Sequence, residues 1–282
     1  MIAASGLGGE LLHYRKFQEK RTGAFIHYIH STFFSREVAK AISIGYLAWF
    51  ILVGVQTVMI EVGKKYWGVW TEYNWMGQAS TAYFPFLIAL TIGIKASFSE
   101  EVLYRMFAIS WGKMLFKRTI FAVLAASIIW GFAHSSYPVY PMWFRGVEVT
   151  ILGFVFSFFY LQYGLIVVLV AHYLFDAFWS SSGYLLGSHV QPIDFYGSLI
   201  VMLLPLFFAL VAFYLNRPDV ERVACWKLNK NQLFNLNILR AYLAVNQESF
   251  SKKATQDLRE ELASHGWDIA VVEEALKDRK SG

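Results

Sequence analysis

Charged side chains are scarce in this chain: they make up 16% of its 282 residues, whereas 56% are hydrophobic and 18% are aromatic. This balance excludes an ordinary soluble domain, in which about a quarter of the residues carry a charge. Several uncharged runs are long enough to cross a hydrocarbon core of roughly 30 Å as helices, which rise about 1.5 Å per residue. The sequence therefore predicts an all-α, polytopic transmembrane helical bundle of about six to seven spans.

Cysteine and nucleic-acid-binding patterns are also nearly missing. The single cysteine, Cys225, cannot form an internal disulfide, so no oxidising compartment is implied. The formal net charge is +5, but no basic cluster is interleaved with aromatic residues as nucleic-acid binding would require. We therefore expect no nucleic-acid partner, and a basic excess that serves membrane topology and contact with the lipid bilayer. The sequence leaves the oligomeric state open.

The distribution of charge divides the chain into three predicted parts. Residues 1–40 carry basic residues throughout, which the positive-inside rule places in the cytoplasm. Residues 41–216 contain the apolar runs and should form the transmembrane domain. Residues 217–282 return to an ordinary density of charge and are expected to be a cytoplasmic tail with a helical hairpin at 254–280. Both termini are thus predicted to be cytoplasmic, with the chain in the cytoplasmic (plasma) membrane.

Glu100 and His134 are ionisable residues inside this apolar region, where such groups are costly and indicate a functional site. Each lies seventeen residues from Lys117, which belongs to a basic turn between two apolar helices. In an antiparallel pair of helices, equal counts from the turn place both residues at the same depth, roughly 25 Å along the helix. We therefore expect the two side chains to be able to meet.

Two further pairs of polar residues are spaced four apart. Glu101 and Arg105 lie on one helical face, where a carboxylate and a guanidinium can pair and leave the preceding glutamate free. His172 and Asp176 repeat the same spacing on a later helix and should project to one side. Three apolar helices thus carry ionisable side chains. Placing such groups in a membrane costs free energy, so we look for one function that explains all of them.

The three motifs together resemble a known family. They are Glu-Glu-x-x-x-Arg at 100–105, aromatic-x-x-x-His at 130–134 and His-x-x-x-Asp at 172–176. In this order, each on an apolar helix, they are similar to the motifs of the CAAX-protease and bacteriocin-processing family. Its members are intramembrane endopeptidases related to the type II CAAX prenyl endopeptidase. The resemblance covers roughly residues 80–215 and includes neither the amino-terminal segment nor the tail.

The resemblance implies roles for individual residues. Glu100 with His134 would activate a water molecule that attacks the scissile peptide carbonyl, and His172 with Asp176 would stabilise the oxyanion. Asp176 departs from the CAAX endopeptidases, which have asparagine there. A carboxyl can donate to an oxyanion only when it is protonated, so Asp176 could instead orient His172 or bind a metal. Trp130 stands where phenylalanine is usual. We interpret this as the replacement of one packing side chain (a filler) by another, with no change in the chemistry of the site.

A metal site is a second possibility for the same side chains. Glu100, His134, His172 and Asp176 would make an acceptable nitrogen and oxygen ligand set for zinc. The His-Glu-x-x-His spacing of many zinc proteases is missing, however. We expect either no cofactor or a zinc ion, with the metal-free site preferred.

Other designs and functions can be compared with this interpretation. The motifs Gly-x-Ser-x-Gly and Gly-x-Gly-Asp do not occur in this sequence, so it lacks the signatures of serine and aspartyl intramembrane proteases. A transporter or proton relay also places ionisable groups in the membrane, but no inverted repeat is visible. A catalytically inactive scaffold or immunity protein stays open. The favoured prediction is an endopeptidase acting on a membrane-associated peptide or protein, prenylated or leader-bearing.

Overall fold

The structure is a computed structural model that describes residues 34–72, 82–215, 228, 230–246, 250 and 253–277. The chain divides into two compact units, Met1–Pro218 and Asp219–Gly282. Each unit is helical and has its own cluster of buried apolar residues.

The first helix of the described part, α1, runs from Arg36 to Trp67. The side chain of Ser35 accepts a hydrogen bond from the backbone N–H of Val38 and so caps its first turn. The helix ends at Gly68, whose left-handed backbone (φ 64°) favours glycine. The short strand β1, Trp70–Thr71, follows and pairs antiparallel with β2, Val139–Tyr140.

The remaining membrane helices follow in antiparallel order. The second apolar helix is continuous but changes type: α2 spans Pro85–Glu100, a π-helical segment spans Glu101–Ala108, and α3 spans Ile109–Phe116. After a tight turn come α4, α5, α6 and α7, which span Thr119–Ala133, Met142–Tyr163, Leu165–Leu186 and Pro192–Leu215.

Four of these helices, α1, α5, α6 and α7, are long and apolar enough to cross a membrane, and α4 is a shorter apolar helix. Large apolar side chains also cover their outer surface: Phe50, Ile129 and Phe207 are each more than 60% exposed. Lipid, rather than water, is the environment that makes such exposure inexpensive. The protein is a helical bundle in the membrane, and the predicted fold class is confirmed.

Helices α4 and α5 approach each other closely at glycine. A Cβ added at Gly131 would lie 2.7 Å from the carbonyl oxygen of Gly146, so neither position leaves room for a side chain. Small residues at such crossings let membrane helices pack backbone against backbone. This contact fixes the end of α4, where His134 lies, against the first turns of α5.

The second unit contains α8, α9 and α10, which span Lys230–Val245, Thr255–Ser264 and Ile269–Lys277. Their inner faces bury leucine and valine side chains, among them Leu239, Leu258 and Val271. Asp268 precedes α10 and accepts hydrogen bonds from Gln232 and from the backbone N–H of Ala270, which lower the pKa of its carboxyl. Helices α9 and α10 lie within the range 254–280 for which a hairpin was predicted, of which 278–280 is outside the described residues.

Candidate active site

The two adjacent glutamates lie at the junction between α2 and the π segment. Glu100 is the last residue of α2 and Glu101 is the first of the π segment. The side chain of Glu100 is 24% exposed, whereas Glu101 is completely buried. π-Helical turns are rare and frequently mark functional sites. Here the helix changes from α to π between the two glutamates, and the carboxylate of Glu100 is accessible whereas that of Glu101 is enclosed.

One oxygen of Glu100 is the centre of the cluster. The indole N–H of Trp130 donates a hydrogen bond to Glu100 Oε2 at 2.5 Å. The Nε2 atom of His134 lies 3.6 Å from the same oxygen, and the Nε2 atom of His172 lies 4.0 Å from it. The structure therefore brings the predicted base, the predicted partner and the first residue of the third motif to a single atom.

The protonation of His134 follows from its other ring nitrogen. Nδ1 lies 2.7 Å from the backbone carbonyl oxygen of Trp130, and because a carbonyl can only accept, Nδ1 carries the proton. This hydrogen bond directs Nε2 towards Glu100. The imidazole also stacks on the Tyr137 ring, with centroids 5.2 Å apart, so a hydrogen bond and a ring contact together orient it.

His172 is held by the buried glutamate. Its Nδ1 lies 2.6 Å from Glu101 Oε1, which also forms an ion pair with Arg105 Nη1 at 3.1 Å. The carboxylate accepts from Nδ1–H, so Nε2 is directed towards Glu100 and Asp176. The pairing of Glu101 with Arg105 was expected from their spacing. The contact with His172 was not, because 71 residues separate the two partners in sequence.

Trp130 connects the two halves of the cluster. While its indole N–H binds Glu100, the guanidinium of Arg105 lies over its ring, 3.9 Å from the centroid. Phenylalanine could offer the ring face but has no N–H to donate. The interpretation of Trp130 as a mere change of filler is therefore wrong, because this residue makes a polar contact with the central carboxylate.

Asp176 lies at the edge of the cluster. Its Oδ2 is 3.6 Å from His172 Nε2, too far for a direct hydrogen bond but close enough for electrostatic interaction. The side chain is 24% exposed and lines the adjoining cavity. The structure thus places Asp176 beside the ring that it was expected to accompany.

A cavity of about 690 Å³ opens over these residues. Glu100, His134, His172 and Asp176 all line it, and the volume lies within the range of roughly 300–1,000 Å³ that is usual for ligand pockets. Tyr137 lies on its wall, outside the helices. Burial raises the pKa of the Tyr137 phenol, and the negative charges of Glu100 and Asp176 raise it further, so the O–H remains a donor at neutral pH.

Comparison with known proteins gives a family for the segment that carries the site. Residues 82–178, which contain all six predicted site residues, match the family model described as type II CAAX prenyl endopeptidase Rce1-like. Over this segment the chain is similar to the Rce1-like family. The resemblance inferred from the three motifs is therefore confirmed for the family, whose description is that of a CAAX endopeptidase.

One curated relative matches a short part of the chain. A stretch of 91 residues, 32% of the chain, is 29% identical to the sporulation-killing factor biosynthesis protein SkfC of Bacillus subtilis (strain 168). The match spans only 18% of that protein's length. No solved structure matches the chain significantly.

A second polar cluster extends beyond the Rce1-like segment. Glu148 in α5 is completely buried; its Oε1 accepts from Gln56 of α1 at 2.8 Å and its Oε2 from Arg145 at 2.6 Å. Gln56 and Arg145 line the cavity, and the Arg145 guanidinium lies 5.7 Å from the centroid of the Tyr137 ring. This cluster was not predicted from the sequence. Its signal was available: Arg145 and Glu148 are charged residues three apart within an apolar run.

The four side chains predicted as possible zinc ligands can now be compared with their positions in the structure. Within the part of the chain that the structure describes, no three His, Cys, Asp or Glu side chains form a group that could hold a metal ion. Of the four candidates, Glu100 already uses Oε2 to accept the Trp130 indole N–H. As arranged here, these four side chains do not form a group of three ligands, and no metal enters the reaction steps that we derive.

Proposed function

We propose that this chain is an intramembrane endopeptidase that hydrolyses a peptide bond of a membrane-associated peptide or protein. The observation that carries the proposal is the convergence of Trp130, His134 and His172 on Glu100 Oε2 in the lining of the cavity. A carboxylate and two imidazoles that line one cavity are suited to proton transfer. The Rce1-like family match supports the reaction class.

In the first step, Glu100 accepts a proton from a water molecule while the water oxygen bonds to the scissile carbonyl carbon. His134 Nε2, directed towards Glu100 by the hydrogen bond of Nδ1 to Trp130, positions the water and shares its proton. The proton then passes to the leaving amine as the C–N bond breaks. The products are a carboxylic acid and an amine, so the atoms of one water and one peptide bond are accounted for.

His172 would stabilise the oxyanion, and the geometry sets a condition for this role. Because Nδ1–H is donated to Glu101, Nε2 can donate only if the ring is an imidazolium. Glu101, an anion at 2.6 Å, and Asp176, at 3.6 Å from Nε2, both favour the positive ring. We assign Asp176 this supporting role, which a carboxylate can fill without being protonated.

The test compares variants of the purified protein in detergent against a library of peptides. Glu100→Gln and His134→Asn should each lower kcat by about 10²- to 10⁴-fold, the usual contribution of general acid–base catalysis. Glu260→Gln, an exposed carboxylate of α9, is the matched control and should leave cleavage unchanged. Cleavage that survives both cavity substitutions would contradict the proposal, and no cleavage by any form would favour an inactive scaffold.

We also propose that the reaction needs no metal. The proposal predicts full activity after treatment with EDTA and 1,10-phenanthroline, and no stoichiometric zinc by elemental analysis. Activity lost to chelator and restored by zinc would overturn it.

For localisation, we propose the cytoplasmic membrane with both termini in the cytoplasm. Arg36 and Lys40 at the start of α1, with Lys117 and Arg118 in the turn after α3, provide the basic residues that favour this orientation.

A further inference from the structure

A buried carboxylate outside the three motifs connects α1 with α5. Glu148 is completely enclosed, and its two oxygens accept hydrogen bonds from Gln56 of α1 and from Arg145 of α5. An ionisable group buried in a membrane helix is costly and indicates a function, which its partner should reveal. The partner here is the Arg145 guanidinium at 2.6 Å, and a charge-assisted hydrogen bond of this length fixes its position.

Arg145 brings this fixed charge to the wall of the cavity. Its guanidinium carbon lies 5.7 Å from the centroid of the Tyr137 ring, within the distance at which a cation and an aromatic ring attract each other. Arg145 and Tyr137 both line the cavity. The carboxylate of Glu148 therefore determines, through Arg145, where the Tyr137 ring is most stable.

The backbone on both sides of Tyr137 is also held. Its N–H donates a hydrogen bond to the carbonyl oxygen of His134 at 3.0 Å, and its own carbonyl oxygen accepts from the N–H of Val139 at 2.7 Å. Val139 begins β2, which pairs with β1. The loop that carries Tyr137 is thus tied to the end of α4 and to the strand pair, so its ring has a defined place beside His134.

The Tyr137 ring restrains a part of His134 that no hydrogen bond holds. The bond from Nδ1 to the Trp130 carbonyl fixes one edge of the imidazole, whereas the stacked Tyr137 ring, 30° from parallel, restrains its plane. Nε2 of His134 lies 3.6 Å from Glu100 Oε2, and a small rotation of the imidazole would change this distance. Misplacement of a catalytic group by about 1 Å can lower a rate by about 10²-fold.

We propose that Tyr137 and Arg145 are positioning residues for His134. Glu148 holds Arg145, Arg145 holds the Tyr137 ring, and this ring keeps the imidazole in the plane that directs Nε2 to Glu100. The inference deepens the proposed function and rests on it for the effect on cleavage. Because these residues act through His134 and not on the substrate, their loss should lower kcat and leave KM unchanged.

Substitutions of Tyr137 test whether its ring is the acting group. Tyr137→Leu should lower kcat by about 3- to 10-fold, the factor that corresponds to one aromatic contact, whereas Tyr137→Phe should keep kcat within about twofold of the wild-type value. The matched control is Tyr83→Leu, at a tyrosine that is 96% exposed, and it should have no effect. Equal losses in the leucine and phenylalanine variants would overturn the inference, since the hydroxyl would then be the acting group. A raised KM at unchanged kcat would overturn it in favour of substrate binding.

The order of action is tested with the charged pair. Arg145→Gln/Glu148→Gln removes both charges together, so no buried ion is left unpaired and the fold should persist. Losing the cation near the Tyr137 ring should lower kcat by about 2- to 5-fold. In the Tyr137→Leu background the same pair should cause no further loss, because the ring through which Arg145 acts is missing. Losses that multiply independently would overturn the proposed order.

The His134 ring can also be observed by NMR without any cleavage. In protein labelled with isotopes at histidine, the ring nitrogens report the tautomer in which Nδ1 carries the proton, and His134→Asn identifies its signals among the seven histidines. We expect one sharp set of signals in the wild type and in Tyr137→Phe, and broadened or doubled signals in Tyr137→Leu. Identical signals in all three would overturn the inference. If the protein cleaves no peptide while the signals change as expected, the proposed function fails and the positioning of His134 stands.

Discussion

Replacing Glu101 by glutamine tests the enclosed half of the site. The substitution keeps the size of the side chain but removes the charge that faces Arg105, which is only 1% exposed, at 3.1 Å. Removing one partner of a buried ion pair typically costs about 3–5 kcal/mol, because the other charge is left uncompensated. The Trp130 ring under the Arg105 guanidinium offsets part of this cost. We therefore expect a loss near the lower value, about 3 kcal/mol, out of a total of roughly 5–15 kcal/mol.

The assay is reversible unfolding of the purified protein in mixed micelles, with the double variant Glu101→Gln/Arg105→Met as the comparison. Removing both charges leaves no unpaired guanidinium, so the double variant should be more stable than Glu101→Gln alone. A loss below about 1 kcal/mol for Glu101→Gln would refute the reasoning, since it would mean that Arg105 is hydrated. Strict additivity of the two single losses would refute it as well, because contacting residues should couple.

Three further predictions follow from individual contacts. Trp130→Phe removes a hydrogen bond to the charged Glu100, worth about 1.5–3 kcal/mol, and should lower kcat by roughly 10- to 150-fold with little change in KM; unchanged kcat would contradict this. Gly131→Ala should destabilise the bundle by about 1–3 kcal/mol in the unfolding assay, whereas Gly54→Ala, with no atom within 4 Å of the added Cβ, should be neutral or stabilising. Gln56→Leu removes a hydrogen bond onto the buried carboxylate of α5 and should cost about 1.5–3 kcal/mol by the same measurement, unless water replaces the amide.

Some of this site could be predicted from local rules. Glu100 and His134 lie on helices joined by a short turn, so equal counts from Lys117 were enough to place them at one depth. The pairs Glu101–Arg105 and His172–Asp176 each belong to one helix, where a spacing of four residues fixes their relative direction. Such inferences need only helical geometry. They also explain why an all-helical membrane bundle was predictable from composition and length.

Contacts between non-neighbouring helices could not be derived in this way. Glu101 meets His172 and Gln56 meets Glu148 across 71 and 92 residues of sequence, and both contacts depend on how each helix is rotated about its axis. Apolar residues on all sides of a membrane helix give no amphipathic face from which that rotation can be read. The π segment adds a second obstacle, because regular α-helical periodicity does not continue through it.

The consequence of the π segment is clearest at His172. Its ring stands between the two adjacent glutamates of α2 and the π segment: Nδ1 contacts Glu101 at 2.6 Å, while Nε2 lies 4.0 Å from Glu100. Neighbouring residues of a regular α-helix point about 100° apart, so a single imidazole would meet both carboxylates only with difficulty. The wider turn that begins at Glu101 coincides with this arrangement. His172 therefore couples the enclosed ion pair to the accessible carboxylate, and a substitution of Glu101 should reduce catalysis as well as stability, even though Glu101 does not line the cavity.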